Sequence, residues 1–516
     1  MTTAEGAAET KLSGPDLAAG IDAQTLADGE KLLGHANGEA VLLARVNGEY
    51  FAIGATCSHY GGPLAEGELV GDTVRCPWHH ACFSLRSGEA LRAPALNPVA
   101  CWHVERRGGQ IVVGERVERS PLAPTYPGTF PKSELSKVLI VGAGAAGTAA
   151  AEMLRRCGFR GDLIVVDDDS GSPYDRPNLS KDYLAGNAPE EWIPLRPEGF
   201  YDDHQVTRVR GRAMKLDPAA RTLQVEGRGV LSYDALILAT GAEPVRLTTP
   251  GADLPHVHYL RSLRDSRAIV AAAQLATQAV VIGASFIGLE VAASLRTRNS
   301  SLTVDVVAPE VVPLERVMGR ALGEFIKSLH EEHGVTFHLQ QTATKIERDA
   351  VTLANGERLP ADLVVIGVGV RPRLLLAQDA GLRIDKGVVV DEYLMTSAQG
   401  VYAAGDIARW PDPRSAAPIR VEHWVVAERQ GQTAARNVLG ARERFDQVPF
   451  FWSAHYDVSI NYVGHAERWD RVDVDGSAKD RDVTVRFVDG ERTTAVATIF
   501  RDKESLDAEV AMEREA

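Results

Sequence analysis

The chain has 516 residues, of which 45% are hydrophobic and 24% charged, the balance of a globular protein with about three or four domains. A net charge of −14 excludes the electrostatic footprint that nucleic-acid binding needs. Five cysteines offer no obvious disulfide framework, and Met1-Thr-Thr-Ala-Glu-Gly6 lacks the basic and apolar regions of a secretory signal, so a cytoplasmic chain is expected.

Residues 1 to 12 are polar and expected to be mobile. Strand-like runs follow, Ala40–Val46 with a turn at Asn47-Gly48 and Gln110–Val113 further on, and predict a small all-β domain. Inside it stand Cys57-Ser-His59 and, sixteen residues later, Cys76-Pro-Trp-His79. Two thiolates can hold one iron while two neutral imidazoles hold the other, which makes Cys57, His59, Cys76 and His79 the ligand set of a [2Fe-2S] centre that accepts single electrons. A structural zinc site is the alternative; such sites usually pair like with like, whereas each loop here gives one Cys and one His. Gly61, Gly62, Pro63 and Gly88 supply turns for two loop tips.

On these residues, 13 to 115 resemble a Rieske ferredoxin domain. High-potential members of that family carry an extra cysteine in each loop, and Gly62 and Trp78 stand in those places, so the resemblance is to the ferredoxin-like branch. His80 falls outside the Cys-x-x-His register, and Cys82 reads as a buried small hydrophobe. Residues 1 to 115 hold 8 Lys and Arg against 14 Asp and Glu, so an electron partner docking there would present a basic face, unless the acidity serves solubility alone.

Residues 116–136, with Pro121, Pro124, Pro127 and Pro131, read as a semi-rigid linker. A buried strand from Lys137 then enters Gly142-Ala-Gly144-Ala145-Ala146-Gly147 and a helix from Thr148 to Arg156. Glycines at that spacing let a pyrophosphate approach backbone N–H groups at a helix N-terminus. The next strand, Leu163–Val166, ends in three acids from which one is expected to bind a ribose; Asp168 is the first choice and Asp169 the second.

Pro173-Tyr-Asp-Arg-Pro-Asn-Leu-Ser-Lys181 resembles a stretch of ferredoxin reductases and apoptosis-inducing-factor relatives. The resemblance puts Lys181 near the flavin, with Arg176 and Arg261 among the cofactor contacts. The apolar run ending in Ala239-Thr240-Gly241 resembles the crossover motif of flavoproteins that bind two dinucleotides.

The apolar-looking window Ile269 to Leu295 is interrupted by Gln274, Gln278, Ser285 and Glu290, and reads as helix, strand, turn and helix rather than a membrane span. It contains a second nucleotide motif, Gly283-Ala-Ser285-Phe286-Ile287-Gly288, with serine in the middle glycine's place and a spare hydroxyl donor. Glu290 matches a glutamate that faces the flavin lysine in related reductases, so a catalytic Lys181–Glu290 pair is expected at the nicotinamide. The following strand ends at Ala308, where an acid marks NADH preference; Glu310 could reach back, or Arg298 and Arg316 could take a 2′-phosphate, which leaves NADH against NADPH open.

Gly369 is also assigned to the cofactor sites, and Gly400-Val-Tyr-Ala-Ala-Gly405-Asp406 resembles the second flavin motif, with Asp406 on the ribityl chain. A helix containing Glu422-His423-Trp424 is expected to cover the isoalloxazine, His423 serving structure rather than catalysis. Pro449-Phe-Phe-Trp452-Ser453 resembles the opening of a reductase C-terminal domain, with Trp452 at the flavin edge. A hairpin over 483–500 and a charged tail beyond Asp502, helical or frayed, close the chain.

The fold expected is therefore multidomain: an all-β Rieske domain (13–115), the linker (116–136), two Rossmann-like α/β dinucleotide-binding domains, for FAD (137–250 and 375–444) and for NAD(P) (251–374), and an α+β C-terminal reductase domain (445–516). The whole resembles an apoptosis-inducing-factor-like flavoprotein of the pyridine nucleotide-disulfide oxidoreductase type. With no Cys-x4-Cys or Cys-x-x-Cys in the flavoprotein part, disulfide reduction is disfavoured. The resemblance implies an NAD(P)H-dependent oxidoreductase, monomer or homodimer, that uses FAD and passes electrons to its own Rieske cluster. From the cluster's exposed histidine edge they would go to an external acceptor protein such as a Rieske oxygenase or haem monooxygenase. Direct reduction of O2 and an NAD(P)H-sensing role are the alternatives.

Overall fold

The structure is a computed structural model that describes residues 12–118, 125–127, 130, 134–169, 171–415 and 417–515. The N-terminal segment expected to be mobile lies outside the described residues up to position 11, as do Pro121, Pro124 and Pro131 of the linker. The described part of the linker lies on the first nucleotide helix, where the N–H groups of Thr125 and Tyr126 reach the Arg156 carbonyl at 3.1 and 3.2 Å.

The N-terminal β unit is a six-stranded antiparallel sheet with a four-stranded sheet over it. The strand Glu39–Val46 turns into Glu49–Gly54 through Asn47 and Gly48, both at positive φ, the geometry in which a two-residue hairpin matches strand twist. The four short strands, Glu68–Val70, Thr73–Arg75, Cys82–Ser84 and Ala90–Arg92, carry the second cysteine loop between them.

Two five-stranded sheets follow. In the first, Lys137–Val141 pairs in parallel with Asp162–Asp167 and with Ala235–Leu238, and Val401–Ala403 returns to the edge from far along the chain. The second repeats the plan with Gln278–Ile282 between Thr303–Ala308 and Leu363–Ile366. Their strands are continuous apolar runs, Val138 to Ile140 and Ala279 to Val281 wholly buried, because helices cover one face of each sheet and a three-stranded antiparallel sheet covers the other. The helix Ala145–Arg156 packs along Trp424–Val438, and the approach is so close that a Cβ on Gly431 would meet the Ala146 carbonyl oxygen at 2.1 Å. That second helix begins at Trp424, so Glu422 and His423 precede it rather than belong to it.

The C-terminal unit is a five-stranded antiparallel sheet closed by the helix Asp502–Arg514. The tail does not fray: Leu506, Glu509, Val510 and Met512 are buried. Glu509 is buried because the helix meets the N-terminal β unit there. Its carboxylate accepts from Arg429 and from Arg92, both at 2.9 Å, and from His80 Nδ1. Glu513, one turn on, pairs with Arg92 at 2.5 Å and Arg75 at 2.6 Å. Arg429 also donates to the carbonyls of Ala93 and His80, and Gln432 accepts the Ala93 N–H at 3.0 Å. Around the rim Arg156 pairs with Glu89, Arg196 with Asn97, and Lys503 with Glu68. Arg156, Arg196 and Lys503 thus give the acidic β unit cationic partners within the chain. Burial opposes ionisation of Glu509, yet Arg429, Arg92 and His80 hold its carboxyl well below the usual range.

Removing one member of a buried charge set leaves the others unpaired, at a cost of about 3–5 kcal/mol. Glu509→Ala is therefore expected to loosen the β unit from the reductase: hydrogen exchange of the amides from Cys76 to Ala95 should accelerate while exchange in Lys137–Val141 stays protected.

Candidate redox site

Both cysteine loops close in the same way. The Cys57 N–H donates to the Gly62 carbonyl and the Gly61 N–H to Cys57; the Cys76 N–H donates to Ala81 and the His80 N–H to Cys76. The fifth residue of each loop must then take a left-handed conformation, filled by Gly61 (φ 81°) in one and His80 (φ 59°) in the other. His80, outside the ligand register, is thus the hinge of the second loop, and its bond to Glu509 secures an otherwise unfavourable backbone geometry.

The loops bring Cys57 and Cys76 into mutual contact and the rings of His59 and His79 to 5.0 Å, edge to face. Thiol thus pairs with thiol and imidazole with imidazole, the split that a [2Fe-2S] centre with one all-sulfur iron requires. The contact with Cys76, then burial, push the Cys57 thiol up while the same contact holds Cys76 below its ordinary value; the N–H groups of His59 and Tyr60 at Cys57 and of Trp78 and His79 at Cys76 act toward the thiolate. Burial holds both imidazoles neutral, His59 down at about 3, and His59 Nδ1 is buried without a partner. A Cβ at Gly62 would stand 2.6 Å from the Cys76 sulfur, so a cysteine there would collide with the ligand set. These residues fit the cluster.

The histidine edge, expected to face solvent, faces the reductase instead. The His79 ring lies 4.4 Å from Trp452, and Lys181 Nζ is 6.0 Å from the same indole. Tyr60 of the first loop hydrogen-bonds Asp175, in the segment that carries Arg176 and Lys181. Neither Tyr60 nor Asp175 carries a spacing signal that sequence reasoning could have used.

The first glycine turn is an anion cradle. The helix Ala145–Arg156 presents its N-terminus behind Gly144, a Cβ on which would meet nothing nearer than the Arg176 guanidinium at 3.8 Å, and Gly147 is pressed against the Gly142 carbonyl. Arg176 is buried with Nε unpartnered, while Arg261, near Gly241, pairs with Asp406 at 2.7 Å. Two arginines to one carboxylate leave a positive surplus at the helix N-terminus, suited to a diphosphate. Asp406 follows Gly405, and the Arg420 side chain holds its carbonyl at 2.9 Å. Of the three acids, Asp168 is half exposed near Arg373, Asp169 accepts from Tyr174 at 2.7 Å, and Asp167 takes the Ala143 N–H; burial, then Asp168 and Asp169, push the Asp167 carboxyl up to about 6. His423 is buried and neutral, with Nδ1 unpartnered and its ring 4.5 Å from Phe451. Ala239 and Thr240 follow the strand Ala235–Leu238 and lie against the glycine turn: a Cβ on Gly142 would be 2.3 Å from the Ala239 carbonyl oxygen. These residues fit FAD.

In the second cradle Ser285 caps the helix Phe286–Arg298, accepting the Gly288 N–H at 3.2 Å and donating to the Gly367 carbonyl at 2.6 Å. Its hydroxyl, expected to be free for a pyrophosphate, is spent on the fold. Ile287 is exposed at the cradle's mouth, Phe286 packs on Phe451, and Gly369, at φ 101°, stands in the open. Ala308 is buried and Glu310 exposed. Arg298, one of the alternatives for a 2′-phosphate, donates to the carbonyls of Leu184 and Tyr183. Lys181 Nζ lies 2.9 Å from Glu290 Oε2, whose carboxylate is buried and also accepts from Ser180 at 2.5 Å and Ser453 at 2.7 Å. Cys157 is half-buried, alone and pushed up to about 12 by burial, which leaves no reactive thiol pair beside the flavin cradle. No helix among the described residues is long and apolar enough to cross a membrane.

Three family models match: a Rieske [2Fe-2S] domain over residues 19–103, pyridine nucleotide-disulphide oxidoreductase over 136–431 and reductase C-terminal over 450–516. Apoptosis-inducing factor 3 of Mus musculus is 32% identical over 484 residues, covering 90% of this chain and 78% of its own. Rhodocoxin reductase of Rhodococcus erythropolis is 36% identical over 377 residues, 72% of this chain and 88% of its own. Among solved structures, the covalent putidaredoxin reductase–putidaredoxin complex superposes with a TM-score of 0.70 at 33% identity, covering 73% of this chain and 93% of that one. The chain belongs to the pyridine nucleotide-disulphide oxidoreductase family, as a ferredoxin-reductase-like flavoenzyme for FAD and NAD(P)H that carries its own Rieske [2Fe-2S] domain.

Proposed function

We propose that this enzyme oxidises NAD(P)H and delivers the electrons, through its own Rieske centre, to an external one-electron acceptor protein such as a Rieske oxygenase or a haem monooxygenase. The observation that carries the reading is the contact of His79 with Trp452, 4.4 Å between rings, which closes the cluster's histidine edge onto the Lys181–Glu290 site. When bound, FAD supplies a two-electron acceptor that can release electrons singly, and the cluster carries one at a time. The chain's own residues position these groups. Gly142, Gly144, Gly147, Arg176, Arg261 and Asp406 would hold the flavin dinucleotide, and Gly283, Gly288 and Glu310 the nicotinamide dinucleotide. Lys181 supplies positive charge where reduction makes the ring negative, and Glu290 fixes that ammonium group. Trp452 fills the space between Lys181 and His79 and excludes water from it. The acceptor class is supported by relatives named as rhodocoxin and putidaredoxin reductases. A reducing, cytoplasmic setting suits a centre that needs Cys57 and Cys76 as thiolates.

Three outcomes test this. On anaerobic mixing with NADH, the cluster absorbance should bleach within one turnover; a cluster that stays oxidised while NADH is consumed would point to O2 reduction or NAD(P)H sensing. Cys57→Ser should abolish the anisotropic electron-resonance signal of the reduced imidazole-ligated centre while the protein still binds FAD. Because Arg298 is engaged with two carbonyls and Glu310 is free at the strand end, kcat/KM should favour NADH over NADPH, and Glu310→Ala should narrow that ratio.

A further inference from the structure

Glu290 is the inner end of a longer run of hydrogen-bonded groups. Its Oε1 is 2.7 Å from Ser453 Oγ; Ser453 Oγ is 3.1 Å from His455 Nε2; His455 Nδ1 is 3.2 Å from His330 Nε2; and His330 Nδ1 is 3.4 Å from the Tyr456 hydroxyl. Glu290, Ser453, His455 and His330 are buried, the two histidines completely. Tyr456 is half-buried in the turn between Phe450–His455 and Val458–Gly464, stacked at 3.7 Å on the half-buried His333 that follows the helix Glu315–Glu332. The run therefore leads from the lysine–glutamate pair, between the second nucleotide unit and the C-terminal sheet, to the periphery.

A hydride carries two electrons and one proton, whereas a Rieske centre exports electrons alone. Oxidising one NAD(P)H to NAD(P)+ and reducing two one-electron acceptors thus leaves one proton in a site whose walls are buried. We propose that Glu290, Ser453, His455, His330 and Tyr456 are the exit route for that proton. The inference rests on the proposed one-electron export, though it applies to any acceptor that takes electrons without protons.

The chemistry of each member suits the task. A hydroxyl and a neutral imidazole each have one proton to give and one lone pair to receive, so a line of them has no dead link. Burial and the nearby Lys181 hold His455 neutral, down at about 3, and burial, His455 and His333 keep His330 well below its ordinary range. Lys181, Glu290, His333 and Tyr456 are the titratable groups facing the two rings. A core built only for packing would fill these positions with apolar side chains, since every polar group here needs its neighbour to be satisfied.

The test uses the holoenzyme, reduced by one equivalent of NADH and reoxidised by ferricyanide, with a pH-indicator dye reporting proton release. Ferricyanide takes single electrons whether or not the cluster does, so failure of the Rieske reading and failure of this one separate. Ser453→Ala removes one oxygen, and His455→Ala removes a link and leaves an imidazole-sized space. Both should slow proton release and reoxidation about a hundredfold, the lower end of what a positioned proton-transfer group contributes, and introduce a solvent deuterium isotope effect. Added imidazole should restore His455→Ala. In the oxidised wild type, 15N-histidine spectra should show the His330 and His455 imidazoles, identified by their loss in substituted variants, staying neutral below the ordinary histidine pKa. Wild-type rates in both variants, slowing without isotope effect or rescue, or a protonated His330 or His455 would each overturn the proposal.

Discussion

The carboxylate of Glu509 is the interaction on which the arrangement of this enzyme depends. It stands wholly buried among Arg92, Arg429 and His80, contributed by the four-stranded β sheet, the long buried helix and the second cluster loop. A buried anion is tolerable only while its partners keep their places. The network therefore acts less as a source of stability than as a device that admits one orientation of the β unit. His80 ties that orientation to the cluster, because its backbone closes the loop that carries Cys76 and His79 while its side chain reaches Glu509.

The orientation has a chemical consequence. The rings of His59 and His79 meet Trp452 and lie near Lys181 and the loop bearing Asp175. The β unit and the reductase units, parts of one chain here, meet in a fixed encounter at that edge. The acidic residues of the β unit are partly consumed in that encounter, by Arg156 and Lys503 of the reductase.

Electrostatics divides the interior in two. Around the cluster loops, backbone N–H groups offset part of what burial costs the thiolates, and burial keeps the imidazoles neutral. Around the flavin cradle, Arg176 and Arg261 outnumber Asp406, and Lys181 balances Glu290. The boundary between the two is aromatic, made by Trp452, Tyr60 and Phe450.

The ligand spacing, the glycine turns, the apolar strands before them and the Pro173–Lys181 segment determined the family, the cofactors and the Lys181–Glu290 contact, because each is written within a few residues of sequence. Local rules also placed the Asn47-Gly48 hairpin and the two nucleotide helices. They did not record that the Ser285 hydroxyl answers the Gly367 carbonyl or that Arg298 reaches across to the carbonyls of Tyr183 and Leu184. The tertiary structure alone decided that the histidine edge turns inward, that His80 is a hinge, and that Ser453 and His455 continue from Glu290. Those facts depend on partners as far as 429 positions apart in sequence, as for His80 and Glu509. No periodicity or spacing records such a pair, because only the packing of folded units brings it together.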